Sequence, residues 1–154
     1  APFIVFDDAD MDEAVAGALQ SKFRNSGQTC ICSNRIFVHE NIYDEFLEKF
    51  TNEVSKITVG NGLENGITSG PLIDKSSLEK VIDHVQDAVN TGAKIAVGGE
   101  IHPLGGNFYQ PTVLSNVSTE AKITFEETFG PVAPVYKFSD DEEVIKVTKC
   151  ILNQ

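Results

Sequence analysis

The sequence has 154 residues, and its 12 Lys and Arg against 23 Asp and Glu give a formal net charge of −11. A chain of this length is typical of one domain with a hydrophobic core of its own. No apolar run approaches the ~20 residues needed to span a bilayer, and the amino end carries no secretory signal pattern. The excess of acid argues against binding to nucleic acid or to anionic membranes, because both present negative phosphates.

The first half of the chain alternates between strand and helix patterns. An apolar run at 3–6 predicts a strand, and Asp10 and Glu13 have the spacing of a capping box, which predicts a helix that ends near Phe23. The next predicted elements are a strand at 35–39, a helix at 42–57, a Gly-rich loop at 58–73 and a helix at 78–89.

The second half continues this alternation. Gly92 is suited to a left-handed helix cap, and it precedes a predicted strand at 94–97 and extended stretches at 108–114 and 133–138. Ser139 and Glu142 predict the cap of a last helix. The pattern favours an α/β fold with layered helices on a mostly parallel sheet. No Gly-x-Gly-x-x-Gly fingerprint occurs, so a complete dinucleotide-binding unit is not encoded.

The segment from Phe23 to Cys32 combines a thiol, a nearby cation and a glycine at the end of a predicted helix. A cysteine attacks as the thiolate, which positive charge or aimed backbone N–H groups stabilise. A lone cysteine before a strand is also typical of a small, packed hydrophobic residue. The sequence gives no recognisable catalytic context to its three histidines and indicates no metal site. These histidines are His39, His84 and His102.

Two runs of residues carry a resemblance to a known family. Residues 23–30, Phe-Arg-Asn-Ser-Gly-Gln-Thr-Cys, resemble the catalytic-cysteine signature of the aldehyde dehydrogenase superfamily. Residues 126–132, Glu-Glu-Thr-Phe-Gly-Pro-Val, are similar to a second motif of that superfamily, in the same order along the chain. The resemblance extends to about residue 143 and is strongest to the succinate-semialdehyde dehydrogenase branch. It implies NAD(P)-dependent oxidation of a small-molecule aldehyde.

The resemblance implies a role for each matching residue. Cys30 would be the nucleophile that adds to the aldehyde carbonyl, giving a thiohemiacetal and then a thioester. Glu127 would bind the hydroxyls of the nicotinamide ribose, and Phe129 would pack near the nicotinamide. Arg24 would hold the distal carboxylate of succinate semialdehyde, because its fork of N–H donors matches a carboxylate. The alternatives are a surface ion pair for Arg24 and a solvated surface acid for Glu127.

Cys32 lies two residues after Cys30, and some members of the same branch use this arrangement as a reversible disulfide switch. The two Cα atoms of a disulfide must approach within roughly 7 Å, which such a short loop rarely permits. A reduced and packed Cys32 is therefore the expectation, with a redox partner of Cys30 as the alternative. With Cys150, the chain has three cysteines, an odd number that indicates a reducing compartment rather than a disulfide scaffold.

The resemblance also implies which parts lie outside this sequence. Residues 1–154 would be a truncated, cysteine-bearing catalytic domain, whereas the amino-terminal coenzyme-binding domain, the general-base glutamate and the oxyanion asparagine would precede Ala1. Residues 147–154 depart from the family pattern. We therefore predict no turnover by this chain alone.

The full-length form would use NAD or NADP as a homo-oligomer, a dimer or tetramer, in the cytoplasm or the mitochondrial matrix. The resemblance leaves two other functions open. One is an aldehyde dehydrogenase for a different aldehyde, in which Arg24 is incidental. The other is a truncated folding or assembly module without catalysis.

Overall fold

The computed structural model describes the backbone of residues 1–152 and the side chains of residues 1–149. In chain order the elements are β1 (Pro2–Val5), α1 (Met11–Phe23), a 3-10 turn (Arg24–Gly27), β2 (Arg35–His39), α2 (Tyr43–Ser55), α3 (Lys75–Asn90), β3 (Lys94–Val97), β4 (Thr112–Ser115), α4 (Lys122–Phe125), β5 (Val132–Phe138) and α5 (Asp141–Leu152).

The strands form one sheet in the order β1-β2-β5-β4-β3. Only β3 runs antiparallel to its neighbour. The predicted α/β fold with a mostly parallel sheet is confirmed. None of the helices within residues 1–152 is long and apolar enough to cross a membrane.

The sheet is buried on both faces, because its strands alternate between two hydrophobic cores. Ile36 and Val38 of β2 point into one core, which α1 and α2 close with side chains such as Phe50. Phe37 points the other way, into the core that α3 closes with side chains such as Val85. Burial of each such side chain stabilises the fold by about 1.5 to 3 kcal/mol. The chain is therefore a layer of strands between two layers of helices.

Two of the three predicted helix caps are confirmed, and one shifts by a residue. Asp10 accepts a hydrogen bond from the Glu13 N–H at 3.0 Å, and Gly92 follows α3 with φ +107°. The cap of α5 is Asp140 rather than Ser139, since Asp140 accepts from the Glu143 N–H at 2.8 Å. The Glu143 carboxylate reaches back to the backbone N–H and hydroxyl of Ser139. That reciprocal contact selects the register one residue later than the sequence pattern indicated.

Two further starting residues and one short helix differ from the sequence prediction. α3 begins at Lys75 rather than at residue 78, because Asp74 caps it through the Ser77 N–H at 2.7 Å. The stretch at 108–114 forms a strand only from Thr112, after Pro111, which has no N–H to donate. The short helix α4 was not predicted at all.

The fold brings the segments that precede β2 and β5 together at one edge of the sheet. β2 and β5 are adjacent and parallel, with Ile36 opposite Val135 and Val38 opposite Lys137. The segments that lead into these two strands must therefore meet at the amino ends of the strands. One of these segments carries Cys30 and the other carries Glu127.

Candidate active site at the amino ends of β2 and β5

The two motifs that the sequence singled out are in direct backbone contact. We call residues 24–32 the Cys30 segment and residues 126–130 the Glu127 segment. The Gly130 N–H donates to the Gly27 carbonyl oxygen at 3.2 Å. A Cβ atom at Gly27 would lie 2.1 Å from the Gly130 carbonyl oxygen, so only glycine fits at this crossing.

The Cys30 segment begins with an unusual backbone turn. Asn25, Ser26 and Gly27 are consecutive residues with φ values of +50°, +56° and +72°. A non-glycine residue in the left-handed region costs roughly 1–2 kcal/mol, so the turn needs support from its surroundings. The buried Ser26 supplies it, because its hydroxyl lies 3.0 Å from that of Ser69 and accepts from the Gly70 N–H at 3.0 Å.

The Gln28 side chain fastens the next part of the Cys30 segment. Its amide oxygen accepts from the Ile73 N–H at 3.0 Å, and its amide nitrogen donates to the Pro71 carbonyl oxygen at 3.1 Å. This pair of bonds satisfies two backbone groups of the loop that precedes α3. The loop thus holds the Cys30 segment from two sides.

Cys30 is exposed, whereas Cys32 is buried. The packed-hydrophobe interpretation therefore describes Cys32 and not Cys30. The Cys32 sulfur lies 2.8 Å from the Thr29 hydroxyl and donates to the Arg24 carbonyl oxygen at 3.6 Å. Among the described residues, the Cys30 N–H has no hydrogen-bond acceptor and no histidine forms a hydrogen bond with the Cys30 thiol. The Cys30 thiol and N–H are thus both available to a reacting group.

Arg24 begins the strained turn, and its side chain is exposed. Among the side chains that the structure describes, it forms no salt bridge. The surface ion pair that the sequence left open is therefore not found. The guanidinium keeps its five N–H donors for another group.

Glu127 and Phe129 project from the Glu127 segment, and both are exposed. They border a cleft of about 280 Å³ that α3 lines with Ser77, Lys80 and Val81. One carboxylate oxygen of Glu127 accepts from the Asn34 amide at 3.4 Å. The remaining lone pairs of Glu127 and the exposed ring of Phe129 fit a ribose with its attached aromatic base. No cluster of three or more metal-ligating side chains occurs in the described part of the chain.

Lys22 is a residue that the sequence analysis missed. It is fully buried, and no hydrogen-bond partner for its amine is present among the described residues. Burial lowers its pKa to about 8, against the opposing effect of the nearby Cys32 and Glu127. Its helical spacing from Val15 and Ala18 places it on the buried stripe of α1, and that spacing was the signal available in the sequence.

His84 is the second missed residue. It is 1% exposed, and its ring lies between the side chains of Thr128 and Glu126. Sequence reasoning gave it no context because both partners come from a segment more than forty residues away. Its place on the apolar stripe of α3, between Val81 and Val85, was the only signal.

Comparisons with known proteins identify the family of the chain. Residues 1–149 match the aldehyde dehydrogenase family. The chain is 56% identical over 145 residues to the NADP(+) succinate-semialdehyde dehydrogenase of Escherichia coli K12, covering 94% of the chain and 30% of that protein. It is 54% identical over 148 residues to a glutarate-semialdehyde dehydrogenase of Pseudomonas aeruginosa, covering 96% of the chain and 31% of that protein. It is 52% identical over 147 residues to a 3-sulfolactaldehyde dehydrogenase of Pseudomonas putida, covering 96% and 30%.

The fold also matches that of solved structures. The crystal structure of an E. coli NADP-dependent enzyme superposes with a TM-score of 0.94 at 54% identity, over 96% of this chain and 31% of that one. The chain thus spans about a third of the length of the relatives it matches. With the family match covering almost every residue and both motifs joined at one edge of the sheet, this chain belongs to the aldehyde dehydrogenase family.

Proposed function

We propose that this chain is the cysteine-bearing part of an NAD(P)-dependent dehydrogenase that oxidises succinate semialdehyde to succinate. The observation that carries the proposal is the contact between Gly27 and Gly130, which holds the exposed Cys30 and the exposed Glu127 at one sheet edge. Oxidation of an aldehyde through a cysteine needs a nucleophilic thiol and a nicotinamide coenzyme held in the same site.

In the proposed reaction, the Cys30 thiolate adds to the aldehyde carbon and forms a C–S bond. The free Cys30 N–H donates to the oxygen that becomes negative in this step. The bound nicotinamide coenzyme supplies the hydride acceptor. Loss of hydride leaves a thioester on Cys30, and water then releases the acid and returns the thiol.

Glu127 and Phe129 would orient the coenzyme. The Glu127 carboxylate has one oxygen held by Asn34, which leaves its other acceptor positions for ribose hydroxyls. The Phe129 ring, 42% exposed, offers an apolar surface beside it. Neither residue reads the adenosine end of the coenzyme, so both NAD and NADP remain compatible with this site; the E. coli relative is named for NADP(+).

Arg24 would set the substrate class. The names of three relatives of similar identity refer to succinate semialdehyde, glutarate semialdehyde and 3-sulfolactaldehyde. Each of these aldehydes carries an anionic carboxylate or sulfonate away from the aldehyde carbon, and an unpaired guanidinium fork suits either anion. Succinate semialdehyde is the substrate we propose, with another acid-bearing aldehyde as the alternative.

Cys32 is proposed to remain reduced, because its buried sulfur already contacts Thr29 and the Arg24 carbonyl oxygen. The alternative is a Cys30–Cys32 disulfide formed by peroxide, with loss of two hydrogens and release of water. Intact mass after peroxide treatment distinguishes them. A loss of two hydrogens that a thiol reductant reverses would establish the disulfide and overturn the reduced state that we propose.

The test uses a chimera, because the chain spans about 30% of its E. coli relative. In the chimera this chain replaces the matching 145-residue segment of that relative. We expect NADPH formation from succinate semialdehyde, and we expect Cys30→Ser to abolish it. An active C30S chimera, or an active E. coli enzyme whose chimera folds but is inactive, would contradict the proposal.

A second pair of variants tests Arg24. In the chimera, Arg24→Gln should raise KM for succinate semialdehyde at least about tenfold while leaving KM for propanal within about twofold, since a lost charge pair weakens only the acid-bearing substrate. Lys75→Gln removes an exposed cation that pairs with Glu79 and serves as the matched control. Equal effects of R24Q on both aldehydes would show that Arg24 is incidental.

The isolated chain is proposed to have no turnover of its own, and the full-length form is proposed to be a homo-oligomer in the cytoplasm or the mitochondrial matrix. NADH or NADPH formation by the 154-residue chain with succinate semialdehyde checks the first point. Turnover by that chain would overturn it. A folding or assembly module without catalysis is the remaining alternative, and the C30S chimera decides against it if activity is lost.

A further inference from the structure

Residues 127–129 of the Glu127 segment alternate between the cleft and the protein interior. Glu127 and Phe129 are exposed, whereas Thr128 between them is 1% exposed. Because Thr128 is the inward-facing side chain of this stretch, its contacts help to fix the directions of its two exposed neighbours. Thr128 therefore anchors these residues.

His84 of α3 contacts the Glu127 segment through both ring nitrogens. Its Nδ1 lies 2.7 Å from the Thr128 hydroxyl oxygen, and its Nε2 lies 3.2 Å from a carboxylate oxygen of Glu126. An ionised carboxylate only accepts hydrogen bonds, so Nε2 carries the proton and Nδ1 accepts from the Thr128 hydroxyl. Burial lowers the pKa of His84 and so favours this neutral form, against the raising effect of Glu126.

Asn34 holds the same segment from the side of β2. Its side-chain oxygen accepts from the Thr128 backbone N–H at 3.2 Å, and its amide nitrogen donates to Glu127 at 3.4 Å. The backbone N–H can only donate and the carboxylate can only accept, so the orientation of this amide is fixed. Asn34 is 3% exposed, and β2 follows it immediately.

These contacts form one continuous path from α3 to the carboxylate. The path runs from His84 through the hydroxyl and N–H of Thr128 to Asn34 and then to Glu127. Lys80 adds a weaker contact, 3.6 Å from Glu126, between two half-exposed side chains. The buried members of the path are those that can hold a fixed geometry.

We propose that His84 and Asn34 are positioning residues that hold the Glu127 segment in the geometry needed to bind the coenzyme. The inference rests on the proposed function, in which Glu127 binds the nicotinamide ribose. Neither residue touches the aldehyde in this arrangement. Their loss therefore affects the coenzyme KM and leaves the aldehyde KM unchanged.

The kinetic test uses the chimera described above. His84→Ala and Asn34→Ala should each raise the KM for NADP about tenfold, because misplacing a binding group by about 1 Å weakens its contacts to that extent or more. The KM for succinate semialdehyde should stay within about twofold. His84→Asn keeps an acceptor for the Thr128 hydroxyl and should recover most of the loss. Val85→Ala, the neighbouring core residue on α3, is the control that should lower Tm without changing the coenzyme KM.

Glu127→Gln separates failure of this inference from failure of the proposed function. If E127Q raises the NADP KM and the H84A and N34A chimeras do not, the positioning role is wrong and the coenzyme site stands. If E127Q leaves the NADP KM unchanged, the ribose role of Glu127 fails, and the positioning role fails with it. If H84A does not fold, H84N and N34A give the same decision.

A spectroscopic test applies to the 154-residue chain itself. The imidazole nitrogen shifts of His84 at neutral pH should show the Nε2–H tautomer, and Thr128→Val should change the shift of Nδ1. An Nδ1–H tautomer would overturn the hydrogen-bond path. The His84 shifts of the Val85→Ala chain should match those of the unchanged chain, which excludes an effect of general loosening.

Discussion

The Cys30 segment and the Glu127 segment meet at one sheet edge but are held by different kinds of side chain. The first has three consecutive left-handed residues, which the uncharged side chains of Ser26 and Gln28 support. The second is held by hydrogen bonds from His84 and Asn34. Hydroxyl and amide groups keep their charge state in this pH range, whereas hydrogen bonds to a histidine respond to pH.

The largest effect should come from breaking the glycine crossing. Gly27→Ala should destabilise the chain by about 3 to 5 kcal/mol, because the new Cβ atom meets the Gly130 carbonyl oxygen at 2.1 Å and the residue also has a positive φ. Urea denaturation of the 154-residue chain measures this. Gly66→Ala is the matched control, since Gly66 has φ +84° but nothing within 4 Å. A cost for G27A no greater than that for G66A would show that the crossing is loose.

The next effect concerns the buried cation that lies near both segments. The pKa of Lys22 is about 8 in the folded chain, against an ordinary value of 10.5. Above pH 8 the unfolded state therefore binds more protons than the folded state, and stability rises with pH. From pH 8 to about 9.5, below the titration of the tyrosines, the rise should be about 2 kcal/mol.

The Lys22→Met variant is the control for that rise. It removes the buried amine while keeping a side chain of similar length, so its unfolding free energy should not rise over the same pH range. Urea midpoints at several pH values compare the two chains. An equal rise in both would assign it to other groups.

A smaller effect should follow from loosening the support of the strained turn. Ser26→Ala removes the hydroxyl that bonds Ser69 and the backbone of Gly70, and it should cost about 1 to 2 kcal/mol. Ser76→Ala, which removes an exposed hydroxyl bonded to Asp74, is the control. Equal unfolding free energies for S26A and the unchanged chain would mean that the turn needs no support from Ser26.

The smallest effect is a difference between the two segments in their response to pH. Burial holds the pKa of His84 below its ordinary 6.5, so the unfolded state takes up this proton first and stability falls as pH drops below 6.5. Protection of the amides at residues 126–130 against hydrogen exchange, corrected for the pH dependence of the intrinsic rate, should fall between pH 6.5 and 5.5, above the range in which carboxylates with ordinary or lowered pKa values protonate. The corrected protection at residues 24–28 should stay constant. The His84→Asn chain should show no such loss of protection.

Much of the fold could be predicted from the sequence, because its signals are local. The Asp10 cap, the strand at Arg35–His39 and the Gly92 cap each depend on residues within one turn. The Asp140 cap was missed by one residue, since two adjacent registers satisfy the same pattern and the Glu143 contact decides between them. The short α4 has too few residues to show a period.

The site divides in the same way. The motif residues Cys30, Arg24, Glu127 and Phe129 could be named from the sequence, and the structure leaves all four exposed around one sheet edge. Their supporting residues could not be assigned, because their roles depend on partners that are distant in the sequence. His84 bonds Thr128 across 44 positions, and Asn34 bonds Glu127 across 93. No local pattern encodes such pairs.

The pairing of β2 with β5 carries a consequence for synthesis. During translation Cys30 emerges long before β5, since the register joins Ile36 of β2 to Val135 of β5, about one hundred residues later. Until the segment that leads into β5 leaves the ribosome, Gly27 has no contact with Gly130 and the strained turn lacks one of its supports. The turn that precedes Cys30 therefore gains its last support only as the final strand of the sheet docks, so a chain that is shortened before β5 should not hold Cys30 in its final position.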